Sequence, residues 1–268
     1  MGWLNPRRPR WQLLARRQRR RITWLPPAVA GLLALVVAAG GWLASQARAS
    51  EPPDRGPSSL APPPANAPSV AENAVPVLTA LGDSTAVGVG ARSGSYVDRL
   101  LARLMRDGRS FRLANLSASG ATTRDVLERQ LPRLGPGGPG LVVLGVGAND
   151  LTDNLPLPLF ARHFEALIAG IRARTAATIV VSNVPDVSLA PVVGPSLRPA
   201  VAARVDAYND VIAAVARKHD LRVFDLCRMT REQLPSHPEY LSADGYHPSD
   251  RGYEVWAEGL WRVVRRFL

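Results

Sequence analysis

LVVLGVGAND, residues 141–150, decides the fold. Leu141–Val146 carries no polar residue. An antiparallel strand with one wet face alternates apolar and polar, whereas a strand buried on both faces reads as an unbroken apolar run. Such a strand belongs to a parallel sheet covered by helices on both sides. The next four residues, Gly147-Ala148-Asn149-Asp150, are small or polar and stand where the strand ends. In open parallel sheets the ligand sits beyond the carboxyl ends of the strands. The composition of each strand end therefore bears directly on chemistry.

The same grammar extends in both directions. Candidate strands are Val77–Gly82, Phe111–Leu116, Leu141–Val146, Thr178–Ser182 and Leu221–Leu226. Between and after them, helical periodicity places helices near Tyr96–Arg106, Arg124–Leu131, Leu159–Arg174, Ala200–Lys218 and Arg251–Phe267. Alternating strands and helices predict a three-layer α/β/α domain with a five-stranded parallel sheet over residues 77–268. In its last helix, Val255, Leu260, Val263 and Val264 suit a buried stripe.

Upstream the composition changes. The chain has 33 Lys and Arg against 22 Asp and Glu, a net charge of +11, and Lys218 is the only lysine. Residues 1–24 hold eight arginines and no acid, so the high charge describes a tail and not a basic nucleic-acid-binding face on the domain. From Ile22 to Ala47 no residue is charged for 26 positions. Its densest part, about 20 residues, spans roughly 30 Å as a helix, the thickness of a bilayer core. Trp24 and Trp42 fall near its ends, where indoles favour the interface. Arginines before the span, with only Arg48 close behind it, predict a cytoplasmic tail over 1–24 and an outward-facing bulk. Residues 25–47 are thus expected to be a transmembrane anchor. The rival is a cleaved signal with Ala47-Arg48-Ala49 as its processing site, but the apolar run exceeds a signal core of about 7–15 residues. Residues 48–76 are rich in proline and form a linker. The single cysteine, Cys227, excludes an intramolecular disulfide framework and a cysteine-rich zinc site; a buried inert thiol is the reading for it.

At the strand ends stand four polar segments. Gly82-Asp83-Ser84-Thr85 follows the first strand, and Ser117-Ala118-Ser119-Gly120 follows the second. Gly147-Ala148-Asn149-Asp150 follows the third, and Asp244-Gly245-Tyr246-His247-Pro248 precedes the last helix. A hydroxyl, small flexible backbone, a carboxamide and an acid three residues before an imidazole are the inventory of serine acyl transfer. Each alone has a plainer reading: a turn serine, a loop-breaking glycine, a capping asparagine, an Asp-Gly turn. Together and in order they resemble the four sequence blocks of the SGNH hydrolases, or GDSL-type esterases and lipases, over essentially all of residues 77–268. The third and fourth blocks match in full, the second is looser, and Thr85 replaces the usual leucine of the first.

The resemblance implies a flavodoxin-like fold, Ser84 as nucleophile, His247 as base and Asp244 as the acid that orients it. It also implies an oxyanion hole of the Ser84 and Gly120 backbone amides and the Asn149 side chain. No cofactor and no metal is implied. His163, His219 and His237 read as a helix residue, a helix-end cap and a loop residue. Asp83 and Asp150 read as structural. With Asp244 and His247 they define a rival metal-dependent phosphoesterase, which leaves Ser84, Gly120 and Asn149 idle. The expected activity is a carboxylic ester hydrolase acting outside the cytoplasmic membrane on a small-molecule, lipid or glycan ester. The alternatives are an O-acyltransferase or deacetylase on envelope glycans, and below them a non-catalytic binding module. Two apolar stretches, Leu151–Phe160 and Asp186–Arg198, are candidates for the pocket wall, as is Tyr246.

Overall fold

The computed structural model describes residues 75–135 and 140–268. The tail 1–24, the apolar run 25–47 and nearly all of the linker 48–76 lie outside the described residues. Among the described residues no helix is long and apolar enough to cross a membrane.

Five parallel strands form one sheet in the order β2-β1-β3-β4-β5: β1 Val77–Gly82, β2 Arg112–Asn115, β3 Leu141–Gly145, β4 Thr178–Ser182 and β5 Arg222–Phe224. The helices are α1 Ser84–Val87, α2 Tyr96–Arg106, α3 Thr123–Asp125, α4 Ala148–Thr152, α5 Leu157–Arg172, α6 Arg198–Lys218, α7 Leu226–Gln233 and α8 Asp250–Val264. Alternation along each strand sends side chains to opposite faces. Leu78 and Ala80 of β1 and Leu141 and Val143 of β3 pack with α2 and α8. Leu81, Val142 and Leu144 join the opposite layer with α5 and α6. The three-layer architecture is therefore the expected one, and both core layers lie within residues 78–264.

The strand order reverses direction at β1, which lies between β2 and β3. That is the topological switch point, where a crevice opens at the strand ends. Ser84 follows β1 and Asn149 follows β3, so the two sit on either side of it. Close approach of these strands requires Gly82: a Cβ there would lie 2.4 Å from the Gly145 carbonyl oxygen.

Several boundaries differ from the sequence reading. The fifth strand stops at Phe224, not Leu226, because the Asp225 side chain accepts the Arg228 N–H and starts α7, a helix the sequence reading did not contain. The helix expected over Arg124–Leu131 is α3 followed by a π-turn at Val126–Gln130 and a 3₁₀ turn at Leu131–Arg133. Gln130, the last residue of the π-turn, pairs its buried amide with both main-chain groups of Gly82, accepting from its N–H at 2.9 Å and donating to its carbonyl at 2.8 Å. In α8 the fully buried positions include Tyr253, Leu260 and Val264, while Val255 and Val263 are half-buried.

Candidate active site

Ser84 opens α1, and Asp83 caps it by accepting the Thr85 N–H at 2.9 Å. The Thr85 hydroxyl donates to the same oxygen at 2.7 Å, which gives the residue that departs from the family pattern a structural task. Asp83 is almost fully buried, and burial pushes its carboxyl above the usual range despite these bonds. The tight turn after β1 leaves the Ser84 hydroxyl facing the crevice.

His247 approaches from the segment before α8. Its Nε2 lies 2.9 Å from the Ser84 Oγ, and its Nδ1 lies 2.7 Å from Asp244 Oδ2. The second carboxylate oxygen of Asp244 accepts the Ser242 hydroxyl at 2.8 Å and the N–H groups of Tyr246 and His247 at 2.8 and 2.9 Å. Burial raises the Asp244 pKa, but these donors outweigh it and hold the carboxyl below its usual range. The loop is pinned at both ends: the Ser242 N–H donates to the His247 carbonyl, and the Ser249 N–H to the Tyr240 carbonyl, each at 2.8 Å. Behind the imidazole runs the Gly88–Gly94 loop. Gly90 sits at φ +93°, and a Cβ there would lie 2.9 Å from the His247 Cβ and 2.6 Å from the Pro248 oxygen. Its lack of a side chain lets this loop back the ring. The Asp250 carboxylate holds the loop by accepting the Arg92 and Ser93 N–H groups.

On the other side, Gly120 lies in the left-handed region at φ +75°. The Ser84 and Gly120 N–H groups donate to no acceptor among the described residues. The Asn149 amide gives one hydrogen to the Ala121 carbonyl at 2.9 Å, which fixes its plane and leaves the second for another acceptor. Asp150 ties the two loops together: its carboxylate accepts the Thr123 N–H at 2.9 Å and the Thr123 hydroxyl at 2.5 Å. Burial raises the Asp150 pKa. Among the described residues no three His, Cys, Asp or Glu side chains are grouped to hold a metal ion. Asp83, Asp150 and Asp244 are each committed to neighbouring donors.

A groove of about 760 Å³, part of it open to solvent, contains Ser84, Asn149 and His247. Its apolar wall includes Val187, Ala190, Met229, Leu234 and Trp256. Of the two apolar stretches expected to wall it, 186–198 contributes Asp186, Val187 and Ala190. The stretch 151–160 does not line it. Leu151 and Phe160 are core residues, and Leu157 already starts α5. Tyr246 lines the groove, its ring edge-on to His247 at 5.2 Å between centroids, and its hydroxyl is buried without a partner among the described residues. The other histidines lie elsewhere. His163 Nδ1 is 3.3 Å from Thr123 Oγ1, His219 binds Glu165 and His237 binds Glu239. Cys227 is buried at the start of α7, and burial pushes its thiol up to about 11.

The arrangement joins a hydroxyl, an imidazole and an ionised carboxylate in one hydrogen-bonded string, with unspent N–H donors on the far side of the hydroxyl. That is the equipment for attack on a carbonyl and for holding the resulting oxyanion. A family model described as the GDSL-like Lipase/Acylhydrolase family matches residues 80–255. The chain is 26% identical over 196 residues to Esterase TesA of Pseudomonas aeruginosa, covering 73% of this chain and 90% of that protein. A lipase/acylhydrolase from Enterococcus faecalis superposes with a TM-score of 0.57 at 25% identity, over 71% of this chain and 96% of that one. An acetylxylan esterase, Axe2 from Geobacillus stearothermophilus, shares the fold at 20% identity, with a TM-score of 0.57 over 71% of this chain and 95% of that one.

Proposed function

This chain belongs to the GDSL-like lipase/acylhydrolase family and is a hydrolase of ester bonds; from that premise we propose that Ser84 is its nucleophile, His247 its general base and Asp244 the residue that orients the base. His247 Nε2 takes the Ser84 proton as Oγ attacks the ester carbonyl. The negative charge that develops on the carbonyl oxygen meets the Ser84 and Gly120 N–H groups and the free N–H of Asn149. Collapse breaks the ester C–O bond, and the imidazolium gives its proton to the departing alcohol. Water, deprotonated by His247, then cleaves the acyl-enzyme and releases the acid. Asp244 keeps Nδ1 protonated and stabilises the imidazolium.

The observation that carries this reading is the unbroken Ser84–His247–Asp244 string, with contacts of 2.9 and 2.7 Å. The apolar wall formed by Val187, Ala190, Leu234 and Trp256 favours an aliphatic acyl group of a carboxylic ester as substrate. The charge-free run 25–47 and the arginines before it favour an anchored domain acting outside the cytoplasmic membrane.

Ser84→Ala is expected to lower turnover of p-nitrophenyl esters by at least about 1,000-fold, with an unchanged circular-dichroism spectrum. Retained turnover would refute the assignment of the nucleophile. A series of synthetic esters of increasing acyl length, run beside acetylated glycans, separates the aliphatic-acyl reading from deacetylation: preference for acetyl groups on sugars would overturn it.

A further inference from the structure

Cations are spread unevenly over the described surface. Helices covering a parallel sheet run against the strands, so their last turns gather at the edge where the strands begin. That edge holds Arg172 and Arg217 in the last turns of α5 and α6, and Arg266 just beyond α8. It also holds Arg112 and Arg222 as the first residues of β2 and β5, and Arg133 at the end of the 3₁₀ turn. All six are exposed, and none forms an ion pair among the described residues. The helix macrodipole accounts for a cation at a helix C-terminus. It asks for nothing at Arg112, Arg222 or Arg133. Asp107 and Asp220 are the acids that stand among these cations. The opposite edge, at the strand ends, is mixed: Arg124, Arg228 and Arg251 stand there beside Asp225, Asp244 and Asp250, and Asp83, Asp150 and Asp186 are buried. The strand-start edge is thus the more basic of the two, and the Ser84 groove lies at the other.

The chain enters the domain at the basic end. Pro76 precedes β1, and its carbonyl accepts the Arg112 N–H at 3.0 Å. Arg112 and Arg133 line one groove there together with Val77 and Thr175. Upstream along the same chain lies the charge-free run Ile22–Ala47.

We propose that the strand-start edge docks on the anionic headgroups of the membrane, with the Ser84 groove turned away from that surface. The proposal rests on the membrane reading of residues 25–47 given above. A Lys or Arg held within a Debye length, about 8 Å, of an anionic leaflet is drawn to it. A tether raises the effective concentration of such a weak surface contact. The docked domain takes substrate from the side facing away from the bilayer, not from the lipids beneath it.

The test uses the full chain in nanodiscs of phosphatidylcholine alone or of an equal mixture with phosphatidylglycerol. Amide hydrogen exchange over 106–112, 217–222 and 262–268 should slow several-fold in the anionic discs, and the slowing should vanish at about 1 M salt, where the Debye length is about 3 Å. The double variant Arg112→Glu, Arg222→Glu should lose the protection. It should hydrolyse a soluble p-nitrophenyl ester as fast as the parent, because neither residue touches the groove. Ester turnover of the same samples reports on the catalytic reading independently of docking. Equal exchange in the two kinds of disc, protection that survives the double substitution, protection of 82–90 and 244–248 instead, or a chain that does not reside in discs would each overturn the proposal. Polyphosphate in solution protecting these segments where anionic discs do not would assign the face to a soluble polyanion and overturn it likewise.

Discussion

Gln130 shows how one side chain can stand in for a strand partner. Both main-chain groups of Gly82, two residues before Ser84, are satisfied by its amide. Gln130→Leu keeps much of the volume but orphans the buried Gly82 N–H, while the Gly82 carbonyl keeps the Ala118 N–H at 3.2 Å. The expected loss is about 2 kcal/mol of stability, read as a lower urea midpoint at unchanged slope; an unaltered midpoint would show that water replaces the amide. A second residue-scale effect concerns pH. Since folding lowers the Asp244 pKa, its ionised form stabilises the native state fully above the ordinary carboxylate value of about 3.9 and loses that contribution as pH falls through the lower folded value. Asp244→Asn should therefore be less stable than the parent at neutral pH, and the gap should narrow as pH falls below about 3.9 in a thermal-melt series. A constant gap across that range would contradict the cause assigned here. At this scale the sequence was informative where the chemistry is written in residue types: Ser84, Asp244 and His247 could be named in advance, and the fold brings them into one hydrogen-bonded string, while Gly120 and Asn149 are named from the family resemblance. Gln130, Ser242 and Gly90 could not be named in advance. Gln130 and Gly90 meet partners 48 and 157 residues away, while Ser242 and Asp244 are neighbours whose contact depends on a loop shape that spacing does not specify.

Elements were legible in proportion to their length and apolar periodicity. β1, β4 and α2 have the expected ends, because short, largely apolar runs and helical periodicity mark them. Ser95 is fully buried and caps α2 through a capping box with Asp98, whose carboxylate accepts the Ser95 N–H at 2.8 Å. Ser95→Ala should cost about 1 kcal/mol in chemical denaturation and leave kcat unchanged; a loss of turnover would place the helix closer to the chemistry than its contacts do. Short helices escaped notice for the converse reason. α1 and α4 span four and five residues, too few for a period to register. α7 reads LCRMTREQ, largely polar, and depends on the Asp225 cap and on the Asn183 side chain, which accepts the Cys227 N–H.

For the molecule as a whole, the sheet and both core layers are complete within residues 77–268. Limited proteolysis of the full chain should trim the N-terminal side and leave a resistant fragment starting near residue 75 that still turns over esters. A fragment that melts well below the full chain would mean that upstream residues contribute to the core. Layer architecture was the most readable property of all, since alternating buried strands and helices call for a parallel sheet covered on both faces; the strand order was not written in the residues. What the sequence could not convey is the gathering of arginines at the strand starts: Arg112 and Arg222 are far apart in the chain, and only the sheet puts them on one edge.

The lone thiol has a practical corollary. Cys227 is shielded and stays protonated at physiological pH, so maleimide dyes and spin labels should pass it by. A cysteine introduced on the surface would then be the single point of attachment, and distances from the catalytic mouth to a lipid or a polymer become measurable without first stripping the native sulfur.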